Sequence, residues 1–171
     1  MAMSWSDCAF RALKEAAVRQ VPYLPDAGLS ALIRLVDADP GLCLLPLTTE
    51  EEGLGTVTGA WLGGERSALL MQSSGVGNCI NALGMIASCR IPLLMVVTMR
   101  GEWGEANPWQ VPMGQAAGPV LSAMGVRTLR LEREEDAAET FEAASILAFE
   151  SGLAVAVLIG QRLIGWKRFE E

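Results

Sequence analysis

The chain has 171 residues, 51% hydrophobic and only 19% charged, enough to bury a full core and leave apolar surface for a partner. Its 13 Lys and Arg against 20 Asp and Glu give a net charge of −7, and without a basic cluster neither nucleic acid nor an anionic membrane surface is an expected partner. There is no histidine, which excludes a Ser-His-Asp triad, a histidine general base and a Cys/His metal site.

Residues 5–19 (WSDCAFRALKEAAVR) are patterned as an amphipathic helix with Ser6 as candidate N-cap. Asp7, Arg11, Lys14 and Glu15 stand where a signal peptide needs its apolar stretch. No apolar run approaches the ~18–20 residues of a membrane span. Val21–Pro25 is a short strand, and Asp26 can cap the helix AGLSALIRLVDA. Leu42–Leu47 is an apolar strand, and Thr48 or Thr49 starts a helix through Leu62. Ser67–Gln72 is a strand, Gly75–Ser88 a helix, and Ile91–Thr98 has the unbroken apolar character of a strand covered on both faces. A loop rich in Gly, Pro and Trp runs from Gly101 to Pro112. After it come a helix over 113–124, a strand at Arg127–Leu131, a helix at Glu134–Ser151 and a last strand at Leu153–Ile159. GQRLIGWKRFEE is a charged tail. Cys8, Cys43, Cys79 and Cys89 form no CxxC pair and read as small core hydrophobes of a cytoplasmic protein.

Strands alternating with helices through short connections imply an α/β fold, an open parallel six-stranded sheet with helices on both faces. Without repeat or linker, residues 1–171 form one domain with its core at about 20–160. Such sheets bind ligands beyond the carboxyl ends of their strands, which selects Pro25–Ala27, Thr48–Glu52, Ser73–Asn78 and Arg100–Pro112.

Acidic residues in a helix's first turn complement its dipole, which suffices for Glu51 and Glu52. Glu50 stands nearest the strand end, where a carboxylate faces the crevice. Gly55 and Gly59 lie four apart with Ala60 beside them, a spacing that lets another helix approach. The turn QSSGVGN lacks the Lys-Ser/Thr of a P-loop and the third glycine of a dinucleotide fingerprint. By spacing alone it is as well explained by a tight strand-to-helix turn.

Taken together, TTEEEGLGTVTGAWLGGERSALLMQSSGVGNCINAL resembles the pyrimidine-binding (PYR) domain of thiamine diphosphate enzymes, most of all that of sulfopyruvate and phosphonopyruvate decarboxylases. The family pattern MQNSGLGN-x-x-N is matched by Met71–Asn78 and Asn81, with Ser73 for Asn and Val76 for Leu. MRGEWGE resembles the family's Arg-Gly-Glu loop, and QVPMG its next motif; the likeness spans roughly residues 20–130. It implies a flavodoxin-like PYR fold in which a glutamate hydrogen bonds the cofactor's pyrimidine and drives formation of its imino tautomer, so that no histidine is needed. The family's Glu-to-Gly spacing selects Glu50, with Glu51 next. Gln72, Ser74, Gly75 and Asn78 are the further cofactor-binding candidates.

The family's Gly-Asp-Gly motif, which holds diphosphate and Mg2+, is absent. The resemblance therefore implies a beta subunit carrying the pyrophosphate-binding (PP) half and the metal ligands, with at least two of each subunit. The implied substrate is a small 2-oxo acid with a 3-sulfo or 3-phosphono group. Pro25, Asp26, Arg100 and Gln110 are the substrate candidates, although an ion pair of Arg100 with Glu102 or Glu105 explains that arginine equally well. Trp103, Trp109 and Met113 suit either a pocket wall or an interface. A non-catalytic PYR-like scaffold and a flavodoxin-like nucleotide-binding module are the alternative functions.

Overall fold

Every residue of the strand Leu93–Thr98 is buried, as a central strand covered on both faces requires. The computed structural model describes residues 3–165. Its strands are β1 (Val18–Tyr23), β2 (Cys43–Pro46), β3 (Arg66–Gln72), β4 (Leu93–Thr98), β5 (Arg127–Leu131) and β6 (Ala154–Ile159). All pair in parallel, in the order β2-β1-β3-β4-β6-β5. The flavodoxin-like order holds through β4, after which β6 slots between β4 and β5.

The helices are α1 (Trp5–Glu15), α2 (Ser30–Asp37), α3 (Glu50–Leu62), α4 (Val76–Cys89), α5 (Val111–Ala123), α6 (Ala137–Phe149) and α7 (Gln161–Ile164). Alternate strand residues feed two cores. Leu70, Leu94, Val96, Val155 and Val157 meet Leu13 of α1, Leu32 of α2 and Phe141 of α6. Leu69, Met71, Met95, Val97 and Leu158 meet Leu54 of α3, Leu83 of α4 and Leu121 of α5. The sides follow from right-handed crossovers: connections running toward β5 carry α3, α4 and α5, and those running back carry α2 and α6.

Several boundaries differ from the sequence pattern for identifiable reasons. Ser4, rather than Ser6, caps α1 in a reciprocal box with Asp7. That helix stops at Glu15 because Val18 enters the sheet opposite Arg66, with Ala17 in a left-handed turn between them. Helix α5 begins at Val111, since Pro112 in its first turn has no hydrogen bond to forfeit. Of the thiols expected in the core, Cys8 and Cys79 are buried, but Cys43 on the edge strand and Cys89 at the end of α4 are exposed. The supposed tail opens with α7, while residues 166–171 lie outside the described residues. No helix among the described residues is long and apolar enough to cross a membrane.

Candidate active site

The chain runs outward from β1 to β2 and then reverses to β3, so the loops after β1 and β3 border a crevice at the carboxyl edge of the sheet. Thr49 caps α3 by accepting from the Glu52 amide at 3.3 Å. The three carboxylates that follow have different fates. Glu52 folds back to accept from the Thr48 amide and hydroxyl, both at 2.8 Å, which holds its carboxyl below the usual range. Glu51 is exposed. Glu50 is half-buried, and its Oε2 accepts from Asn78 Nδ2 at 2.8 Å.

Glu50 reaches that position because residue 75 is glycine. A Cβ built on Gly75 would fall inside the Glu50 carboxylate group. The turn after β3 thus accommodates the carboxylate by lacking a side chain there. Cys79, one residue past Asn78, has its thiol pushed up to about 12, by burial first and then by Glu50 and Glu51. It remains protonated at neutral pH and is not a nucleophile.

A second polar group lies on the next loops. Gln72 Nε2 donates to Ser74 Oγ at 2.7 Å and to Gln110 Oε1 at 3.2 Å, joining the ends of β3 and the 100–110 loop. That loop crosses the start of α5 at backbone contact. A Cβ on Gly114 would collide with the Arg100 carbonyl, and one on Gly101, whose φ is +75°, with the Gln110 carbonyl. These crossings fix Gln110 beside Gln72.

Arg100 is buried, and its charge is engaged within the chain. Its Nε and Nη2 donate to the two oxygens of Glu105 at 2.7 and 2.9 Å, while its amide donates to Ser73 Oγ at 3.1 Å. Ser73, one of the two departures from the family pattern, thereby ties β3 to the loop. Arg100 first, with help from the Asn107 amide and Gln161, holds the Glu105 carboxyl down at about 2 against the opposing effect of burial.

Asp26 is turned inward, its Oδ2 accepting from the Gly28 amide and Thr98 Oγ1, both at 2.9 Å. Pro25 beside it is exposed. The structure therefore brings Glu50, Gly75 and Asn78 together, and Gln72, Ser74 and Gln110 together. Asp26 and Arg100 border the crevice through loops that their own side chains brace.

The outer face of α3 is bare at Gly55 and Gly59, where an added Cβ would meet nothing within 4 Å. Ala60 is buried and so does not share that face. Trp61, Leu62, Ile80 and Met85 stand exposed on α3 and α4, as does Trp109, 85% exposed, beside Gln110. Among the described residues no three Cys, Asp or Glu side chains converge to hold a metal ion. No motif in the sequence singles out Gln161. The available signal was its place at the carboxyl end of the last buried strand, level with the other crevice loops.

No protein-family model matches the chain. The sulfopyruvate decarboxylase alpha subunit of Methanothermobacter thermautotrophicus is 34% identical over 160 residues, 93% of this chain and 97% of that subunit. The Methanococcus maripaludis alpha subunit is 34% identical over 92% of this chain and 95% of its own length. The phosphonopyruvate decarboxylase of Streptomyces viridochromogenes is 37% identical over 61% of this chain and 27% of the longer enzyme. Among solved structures, the 2-oxoglutarate:ferredoxin oxidoreductase of Magnetococcus marinus superposes with a TM-score of 0.78 at 19% identity, over 95% of this chain and 29% of that one. An enzyme from Mycobacterium smegmatis described as thiamin diphosphate-dependent gives 0.68 at 17% identity, over 94% of this chain and 31% of that one. At those identities the structures attest the fold alone. The alpha-subunit relatives, matched nearly end to end, decide the family: this chain belongs to the sulfopyruvate decarboxylase alpha subunits.

Proposed function

We propose that the chain is the PYR-type alpha subunit, over residues 1–171, of a cytoplasmic two-subunit carboxy-lyase that uses thiamine diphosphate to decarboxylate a 3-sulfo- or 3-phosphono-2-oxo acid. The observation that carries this is the Glu50 carboxylate at the carboxyl edge of the sheet, packed against Gly75 and held by Asn78.

The residues fit one half of the cofactor. Glu50, with the amides of Gln72, Gln110 and Asn78 and the hydroxyl of Ser74, offers both donors and acceptors to an aminopyrimidine. The diphosphate with its Mg2+ is the other half, which the resemblance assigns to a Gly-Asp-Gly motif that this sequence lacks. A PP-type beta subunit would supply that half, in an assembly with at least two of each subunit. When bound, thiamine diphosphate provides the carbon nucleophile and the electron sink for loss of CO2.

Glu50 would share a proton with the pyrimidine ring nitrogen and favour the imino form. Asn78 keeps the carboxylate aimed, and Gly75 leaves it room. The bare faces of α3 and α4 would be covered by other subunits, excluding water from the site. Pro25, Asp26, Arg100 and Gln110 would border the 2-oxo acid, with Arg100 bracing the loop through its pair with Glu105. Four free cysteines suit a reducing compartment.

The test is co-expression with the partner subunit, followed by measurement of CO2 release from 3-sulfo- and 3-phosphono-2-oxo acids in the presence of thiamine diphosphate and magnesium. Turnover of either acid supports the assignment. An assembled complex that binds the cofactor but releases no CO2 would instead make this a scaffold subunit.

A further inference from the structure

Helix α7, one turn long, bridges two of the crevice loops. Gln161 at its start is 1% exposed and directs its side-chain amide to the 100–105 loop. Its Oε1 accepts from the amides of Glu102 and Trp103, both at 2.9 Å, and its Nε2 donates to Glu105 Oε2 at 3.0 Å. Arg162 lies over the Trp103 ring at 4.4 Å. At the other end of the helix Ile164 packs near Gly28, in the loop that carries Asp26. We infer that Gln161 is a positioning residue for the substrate side of the crevice, setting the 100–105 loop and through Glu105 the place of the Arg100 charge. This rests on the proposed decarboxylase function and extends it to a residue outside the family's motifs.

The chemistry asks for an amide at this position. Two backbone N–H groups need an acceptor, and Glu105, already held by Arg100 and the Asn107 amide, takes a further donor; a side-chain amide presents both ends. A buried donor left without its acceptor is strongly penalised, so the loop must move if the amide is removed. Charge around the amide is dense. Glu105 and Arg100 face it from the loop and the end of β4, and Glu102 Oε2 lies 3.5 Å from its backbone nitrogen. Arg130 of β5 pairs with Glu102, Glu132 packs on Gly160, and Arg162 follows on α7. A carboxylate in place of the amide would meet Glu105 with like charge unless one of the two took up a proton.

The test uses the full chain assembled with its partner. Gln161→Met keeps the volume and removes the amide. The expected result is amide hydrogen exchange at Glu102 and Trp103 faster by about tenfold or more. Alongside it, KM for the 2-oxo acid should rise about tenfold, with kcat changed less than about threefold and cofactor affinity unchanged. Gln161→Glu, which also serves should the Met variant fail to assemble, should have a KM that climbs as pH rises, as the proton bridging residues 161 and 105 is lost, while the unmodified enzyme's stays level. Unchanged exchange at Glu102 and Trp103 would overturn the inference, as would a fall in kcat at constant KM or a flat pH profile in the Glu variant. Exchange is read without turnover, so an unmodified assembly that decarboxylates nothing contradicts the proposed activity alone, and exchange then decides the role of Gln161.

Discussion

The Glu50 carboxylate and the Cα of Gly75 occupy adjoining space with no room for a methyl group between them. The contact joins the start of α3 to the turn after β3 and sets where the acid sits. Gly75→Ala is therefore expected to displace Glu50. Overpacking of this kind costs about 1–3 kcal/mol, and activity should fall far more than stability does. Adding Glu50→Ala should recover most of the lost stability and none of the activity, a non-additivity readable by denaturant unfolding. If Gly75→Ala leaves turnover intact, the contact does not aim the carboxylate.

Gly59 makes the opposite prediction, because its outer side is open. Within the single chain, Gly59→Ala should stabilise α3 by up to ~1 kcal/mol through helix propensity. Gly59→Leu should fold as measured by circular dichroism yet fail to form the full-sized assembly, as seen by light scattering. A full-sized, active Leu variant would move the interface off this face.

The Glu105–Arg100 pair predicts an acid sensitivity with a definite sign. Glu105 has a carboxyl held at about 2 against an ordinary value of 4.5. The stability it contributes is complete above about pH 4.5 and drains away as pH falls toward 2. Glu105→Gln should lower stability at neutral pH by about 3 kcal/mol, since it leaves the buried guanidinium without its counter-charge. The variant should also flatten the acid limb of a plot of stability against pH. Unfolding curves measured between pH 2 and pH 7 would check both effects, and an unaltered acid limb would contradict the assignment.

If the chain supplies the pyrimidine side alone, as proposed, the isolated alpha chain should bind thiamine diphosphate weakly and with little dependence on magnesium. Calorimetry checks this directly. Tight, magnesium-dependent binding by the single chain would require a diphosphate site within it.

How much of this was legible beforehand varies with the range of the interactions involved. β4 and the start of α3 are marked locally, by an unbroken apolar run and by the threonines Thr48 and Thr49, although which of the two caps the helix is settled only by the fold. Glu50 was singled out by its place at a strand end, but adjacent acids left its register ambiguous by one. The three carboxylates are separated only by tertiary contacts: Glu50 accepts from Asn78, Glu51 stays exposed and Glu52 folds back onto Thr48. The end of α1 falls short of its amphipathic pattern because the pairing of Val18 with Arg66 is decided by a strand far along the chain. Ala60 was grouped with Gly55 and Gly59 by proximity in sequence, whereas its helical phase turns it into the core. Gln161 escaped notice because nothing local marks an amide whose partners lie on a loop from another strand.

The central claim is that Glu50 activates the cofactor, and hydrogen–deuterium exchange at C2 of bound thiamine diphosphate tests it most directly. In the assembled complex, Glu50→Gln should bind cofactor and keep its quaternary structure while exchange slows by about a hundredfold or more, in line with the loss of a positioned acid–base group. Glu51→Gln should exchange at the unmodified rate. Equal exchange in Glu50→Gln and the unmodified enzyme, or a loss confined to Glu51→Gln, would contradict the claim.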